Sequence, residues 1–295
     1  MTTSRGRALL LAARPRTLSA GIAPVTLGSA AAAADGYLVR LDLAALALAG
    51  ALAIQVGTNY LNDAFDHERG ADTPGRLGPR RAAASGLLTP GALKAAGAAS
   101  FVVAAACGVP LIAAGGVPIL VLGLLSLLFG WAYTGGPFPL AYHGLGELFV
   151  LAFFGLGAVG GTYWLHAHAL APAVLIAGLQ NGLFACALLT VNNLRDAEGD
   201  APAGKRTLVV RLGTRGGRML LVLCATVPFA LNGYWASRAA WPAVLASFVA
   251  LIPTVRALML VTREPPSVRY NRALAGVAAG HLLFAVLLAA GLILA

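Results

Sequence analysis

The sequence predicts an all-α, multi-pass membrane protein, and three observations support that fold class. Of 295 residues, 59% are hydrophobic and only 11% are charged, a balance far from that of water-soluble domains. Nine apolar stretches are each long enough to cross a hydrocarbon core about 30 Å thick. Nineteen of the 21 Lys and Arg residues then fall on one side of the membrane.

The stretches lie, in order, at 17–34, 43–61, 95–115, 117–134, 148–165, 172–191, 219–236, 240–260 and 274–294. The first follows Arg5, Arg7, Arg14 and Arg16. Basic residues before an Ala-rich run also fit a signal peptide, but the odd helix count requires this segment to be retained. Pro110, Pro118, Pro228 and Pro253 are expected at helix ends or kinks, which membrane helices tolerate. The loop after the second stretch carries Arg69, Arg76, Arg80, Arg81 and Lys94; the loop after the sixth carries Arg195, Lys205, Arg206, Arg211, Arg215 and Arg218. With Arg256, Arg263, Arg269 and Arg272 on the same side, only Arg40 and Arg238 fall opposite. The positive-inside rule therefore orients the chain with its N-terminus cytoplasmic and its C-terminus outside. The resulting reading is one integral membrane domain over 1–295 in a bacterial-type cytoplasmic membrane.

The net charge of +10 belongs to the inner face. No soluble basic domain is present, so nucleic acid is not an expected partner, and many of these cations would meet anionic lipid headgroups of the bilayer. Cys107, Cys186 and Cys224 are widely separated and show no disulfide or zinc spacing.

The acids are distributed unevenly. Seven of the 11 fall in two short stretches, 63–72 and 196–200. Each stretch follows the pattern N-x-x-x-D, from Asn62 to Asp66 and from Asn192 to Asp196, and the two patterns start 130 residues apart. Carboxylates at the end of an apolar span are costly to keep there without a use. The first cluster follows the second stretch and the second follows the sixth, so helices two to five and six to nine read as two parallel four-helix repeats. An even number of crossings returns both clusters to one face, where loops at about 62–92 and 192–213 can converge.

Asp63 and Asp66 are three residues apart, and Asp196 and Asp200 are four apart, so on a helix each pair shares a face. Together with the neutral oxygens of Asn62 and Asn192 they form the hard, all-oxygen donor set that Mg²⁺ prefers, with substrate phosphates completing the shell. These four carboxylates are the candidate catalytic residues. Lys205, Arg206 and Arg76 are fixed cations able to share the charge of a leaving diphosphate, and Arg80 and Arg81 lie in the same loop. An aromatic chamber would shield an allylic carbocation from water, with Tyr60, Phe65, Tyr133, Phe153 and Phe154 as wall candidates. The 134–147 loop, rich in Gly, Pro and aromatics, reads as a wall or lid. A cation-coupled transporter is the competing class, but its ionisable groups tend to sit near mid-membrane at broken helices.

The strings TNYLNDAFDHERGADTPGRLGPRRAAASGLLTP, YTGGPFPLAYHGLGELFVLAFFG and VNNLRDAEGDAPAGKRTLVVRLG resemble the UbiA superfamily of intramembrane aromatic prenyltransferases. Within it they resemble the 1,4-dihydroxy-2-naphthoate polyprenyltransferase (MenA) branch. The resemblance covers nearly the whole chain. It implies a nine-helix bundle, Mg²⁺, a polyprenyl diphosphate donor and a 1,4-dihydroxy-2-naphthoate acceptor that loses its carboxyl on prenylation, giving demethylmenaquinone for menaquinone biosynthesis. It also implies that Asn62, Asp63, Asp66, Asp196 and Asp200 carry the metal and that Lys205 and Arg206 lie by the diphosphate. Where the wider superfamily has a third acid in its first motif, this chain has Gly70, with Asp72 two residues later. That departure agrees with the dihydroxynaphthoate branch and slightly disfavours hydroxybenzoate, while hydroxybenzoate, homogentisate and haem acceptors all stay open within the enzyme class. Asn59, one helical turn before Asn62, is a further candidate for the same cavity, and Arg14 or Arg16 for the acceptor carboxylate.

Overall fold

Apolar helices that face lipid on one side and each other on the other account for the architecture. The computed structural model describes residues 4–72 and 75–295, and every regular element among them is helical. A short α1 (Arg5–Ala12) leads through a tight turn at Pro15–Thr17 into α2 (Ser19–Ala34), with a bend of 50° between them. The long helices α3 (Leu41–Glu68), α4 (Pro90–Ala132), α5 (Gly146–Ala167), α6 (Pro172–Asp200), α7 (Leu208–Ser237), α8 (Trp241–Arg263) and α9 (Tyr270–Leu294) follow. These seven are long and apolar enough to cross a membrane, and the bent α1–α2 pair makes an eighth.

The expected nine differs from this count at α4. Its 43 residues join two of the expected crossings, and Gly116 breaks the helix with φ 68° and ψ −153°, a conformation open to glycine. The chain reverses there. Phe101 packs on Gly57, and Gly130 lies against Thr58 and the same Phe101 ring, although a straight helix would hold residues 29 apart at roughly 43 Å. The halves of α4 are therefore antiparallel, and nine crossings result only when they are taken separately. Pro118, just past the reversal, opens the second half; Pro110 and Pro228 lie inside their helices.

A second correction concerns where α3 and α6 end. Hydropathy stops at 61 and 191, where polar side chains begin, but the helices continue to Glu68 and Asp200. Helical geometry satisfies the backbone internally, and the polar side chains face protein instead of lipid. Both acidic clusters are consequently helical.

Two cores hold the bundle. The first joins α2, α5, α6, α7 and α9 through Leu27, Val159, Phe184, Phe229, Phe284 and Leu288. The second joins α6 to α7, α8 and α9 through Val191, Leu194, Leu221, Val261, Tyr270 and Val277. Helix α6 is enclosed, with Gln180, Asn181, Phe184, Ala187 and Val191 fully covered. Its polar residues are paired: Trp235 Nε1 donates to Gln180 Oε1 at 2.9 Å, and Asn181 Oδ1 lies 2.8 Å from His281 Nε2. Gly155 meets Gly178 and Gly182, which lets α5 and α6 approach closely, as small residues do between membrane helices. By contrast, α4 exposes Val102, Val109, Val117, Leu120 and Leu124, a surface suited to lipid.

Candidate active site

A cavity of about 650 Å³ opens between α1–α2, α3, α4, α5 and α6. One end is ionic and the other apolar. At the ionic end, the last turns of α3 and α6 bring Asn62, Asp63, Asp66, Asn192, Asp196 and Asp200 to the same wall. Because both helices end there, they run in the same direction, as parallel repeats require.

Asp66 is the most connected acid. Its Oδ1 accepts from the Tyr142 hydroxyl at 3.0 Å, and its Oδ2 accepts from Arg81 Nη2 at 3.1 Å and faces Lys205 Nζ at 3.4 Å. Asp200, from α6, lies 3.7 Å from the same Nζ. One cation is thus flanked by a carboxylate from each cluster. Burial works against the charge on Lys205, but Asp66 and Asp200 outweigh it and hold the ammonium pKa above its ordinary value.

Asp196 accepts from Arg76 Nη2 at 2.8 Å and from Arg195 Nε and Nη2 at 2.8 and 2.7 Å. Arg76 also reaches Asp72 at 3.4 Å, and Arg81 Nε lies 3.3 Å from the same Asp72 oxygen. Burial pushes the Asp72 carboxyl up to about 6 despite Arg76, and its other oxygen is buried without a hydrogen-bond partner among the described residues.

Asp63 is placed differently. Its two carboxylate oxygens accept from the backbone N–H groups of Ala82 and Ala83 at 3.0 and 3.1 Å, so it clamps the 80–83 turn over the end of α3. Asn62 Oδ1 accepts from the Thr134 hydroxyl at 2.7 Å, and Asn59 Nδ2 donates to Ala13 O at 2.9 Å. Asn192 lines the cavity, and its Nδ2 donates to Leu188 O at 3.4 Å.

Two cations named from the sequence stay outside the ion-pair network among the described residues. Arg80 is exposed at the rim and makes no ion pair among the described residues, while its neighbour Arg81 is buried between Asp66 and Asp72. Arg206 points outward; only its backbone takes part, donating to Tyr142 O at 3.1 Å. The 134–147 segment does more than form a wall, since it supplies Tyr142 and Glu147. Glycine, proline and aromatic content hid both contributions.

Tyr133, Phe153 and Phe154 line the apolar end, joined by Phe129 and Phe149. Tyr60 packs instead with Ala12, Ala64, Ala82 and Leu93, and Phe65 lies under Arg69 and Lys94. Arg14, in a left-handed conformation (φ 55°), borders the cavity with Nη2 buried and without a partner among the described residues. A non-glycine residue held there is the kind of local strain that clusters at functional sites.

Among the described residues, no three His, Cys, Asp or Glu side chains converge tightly enough to form a ready-made metal cluster. The donor set nonetheless suits a hard divalent cation. Carboxylates from two helices flank a single positive charge, two amide side chains adjoin them, and one Asp72 oxygen has no partner among the described residues. The surrounding Arg76, Arg81, Arg195 and Lys205 favour a polyanion as the second ligand.

Known proteins share this plan. A 1,4-dihydroxy-2-naphthoate octaprenyltransferase of Escherichia coli is 35% identical over 300 residues, 99% of this chain and 96% of that protein. The Mycobacterium tuberculosis protein of the same description is 42% identical over 208 residues, 70% of each chain. In structure, a UbiA homologue from Archaeoglobus fulgidus bound to GPP and Mg²⁺ superposes with a TM-score of 0.62 at 14% identity, covering 94% of this chain and 99% of that one. Residues 22–276 match the UbiA prenyltransferase family, and this chain belongs to it.

Proposed function

We propose that the protein transfers a polyprenyl group from polyprenyl diphosphate to 1,4-dihydroxy-2-naphthoate, with Mg²⁺ and with loss of the acceptor carboxyl as carbon dioxide, giving demethylmenaquinone. The observation that carries this reading is the cavity in which a cluster of acids and cations adjoins an aromatic chamber set among long apolar helices. The two dihydroxynaphthoate octaprenyltransferase relatives supply the acceptor.

Asp66, Asp196 and Asp200, with Asn62 and Asn192, would hold the metal. Bound Mg²⁺ would neutralise charge gathering on the departing diphosphate. Lys205, Arg76 and Arg81 add fixed positive charge at the same end without reorganising. Asp63 acts indirectly, holding the turn that carries Arg81. The Phe149, Phe153 and Tyr133 rings exclude water from the allylic cation and face it with their electron-rich surfaces. The prenyl tail fits the apolar end, toward the bilayer. We assign the ionic end to the cytoplasmic side of a cytoplasmic membrane, with the N-terminus inside, on the basis of the charge asymmetry.

The test is turnover of purified protein with dihydroxynaphthoate and a polyprenyl diphosphate, with Mg²⁺ and with chelator, following prenylated product and released carbon dioxide. Metal-dependent transfer with decarboxylation supports the whole reading. Transfer only to another aromatic would replace the acceptor, and no transfer to any acceptor would overturn it.

A further inference from the structure

Glu147 is the acid in the cavity that the ionic cluster does not explain. It sits in the first turn of α5, is 7% exposed, and borders the cavity among Tyr133, Phe149, Leu188 and Leu189. Asp66, Asp196 and Asp200 each face a cation, and Asp63 is met by two backbone amides. Glu147 has neither. Its Oε1 accepts from Asn193 Nδ2 at 2.9 Å, and no Lys, Arg or His lies within 4 Å of it among the described residues. The residue's own backbone N–H also favours the carboxylate, but both donors are neutral, and a carboxylate enclosed without a cation is expensive to keep, so room is left for a donor from the ligand. The Tyr133 hydroxyl lies beside this position: a Cβ added to Gly146 would come within 3.0 Å of it.

We propose that Glu147, held by Asn193, accepts a hydrogen bond from a ring hydroxyl of the aromatic acceptor and so sets which ring face meets the allylic carbon. This rests on the acceptor reading given above. The chemistry of the ligand selects the hydroxyl. In 1,4-dihydroxy-2-naphthoate the 1-hydroxyl is adjacent to the carboxylate and bonds to it internally, which leaves the 4-hydroxyl free to donate. The acceptor carboxylate would be repelled by Glu147, and so is directed away from it, towards the cations. The ring itself finds Tyr133 and Phe149 as walls. The donor diphosphate has no proton to offer at neutral pH, and the prenyl tail has none, so neither completes the shell of Glu147.

The experiment compares wild type, Glu147→Ala and the isosteric Glu147→Gln as full-length protein in detergent. It reads KM for dihydroxynaphthoate, KM for the prenyl diphosphate, and the inhibition constant of 1-hydroxy-2-naphthoate, which lacks the 4-hydroxyl. Loss of a hydrogen bond to a charged group predicts a rise of roughly 10- to 100-fold in the acceptor KM of Glu147→Ala. The donor KM and the inhibition constant of the analogue should stay within about twofold, because neither ligand touches the carboxylate. Glu147→Gln, which keeps the shape, should show the same pattern at smaller size, and it decides the matter if the alanine variant does not fold. An unchanged acceptor KM, or equal weakening of acceptor, analogue and donor, overturns the assignment while leaving the function intact. A wild-type protein that does not prenylate dihydroxynaphthoate overturns the function itself, and this assignment with it.

Discussion

Asp66 connects more of the site than any other side chain, since Tyr142, Arg81 and Lys205 all converge on it. Removing its charge leaves two buried cations facing a neutral amide and weakens any metal held between α3 and α6. Asp66→Asn should therefore lower kcat by roughly 100-fold or more, and Asp196→Asn, which removes the negative charge facing Arg76 and Arg195, should do likewise. Turnover at saturating Mg²⁺ and donor, on protein shown to insert normally, is the check; near-normal rates in both variants would refute a metal role. The adjacent arginines give a sharper contrast. Arg81→Ala should reduce turnover severely, while Arg80→Ala and Arg206→Ala should stay within about threefold of wild type, because surface charges contribute little. Sequence alone does not separate Arg80 from Arg81, since both follow the same acidic cluster in the same loop; the turn clamped by Asp63 decides which one is buried. Glu147 was invisible for a related reason: its partner Asn193 lies 46 residues away.

At the scale of elements, the apolar runs gave good access to the crossings and poor access to their ends. The break between 115 and 117 was legible because two crossings' worth of apolar sequence exceeds one membrane thickness, and the reversal falls at Gly116. The ends of α3 and α6 were not legible, because hydropathy cannot tell a polar residue facing water from one facing a protein cavity. Side-chain spacing within each cluster survived that error: three and four residues place the paired acids on one face wherever the helix stops. The reversal is itself testable. A residue with a Cβ at φ 68°, ψ −153° is strained, at a cost of about 1–3 kcal/mol. Gly116→Ala should lower the melting temperature of detergent-solubilised protein, whereas Gly108→Ala, in a helical position with open space around it, should leave it unchanged or raise it. Equal melting temperatures for the two variants would mean that the chain does not turn at Gly116.

Across the whole molecule, charge and geometry divide the protein in the same way. The cavity end gathers Arg14, Arg76, Arg81, Arg195 and Lys205. The far end carries a sparse and nearly neutral set: Arg40 paired with Asp42 at 2.5 Å, the Tyr163 hydroxyl donating to Asp35 at 2.7 Å, and His166 beside Ser29. Translocating the cavity end would carry most of the basic residues across the bilayer, so the cytoplasmic placement proposed above predicts a definite labelling pattern. A single cysteine at exposed Asp42 should then react with a membrane-impermeant maleimide in intact cells, and one at exposed Arg206 only after permeabilisation. The unsubstituted protein is the control, because Cys107, Cys186 and Cys224 lie within the long helices. The reverse labelling pattern would place the active site outside and remove the topological argument for a cytoplasmic supply of both substrates.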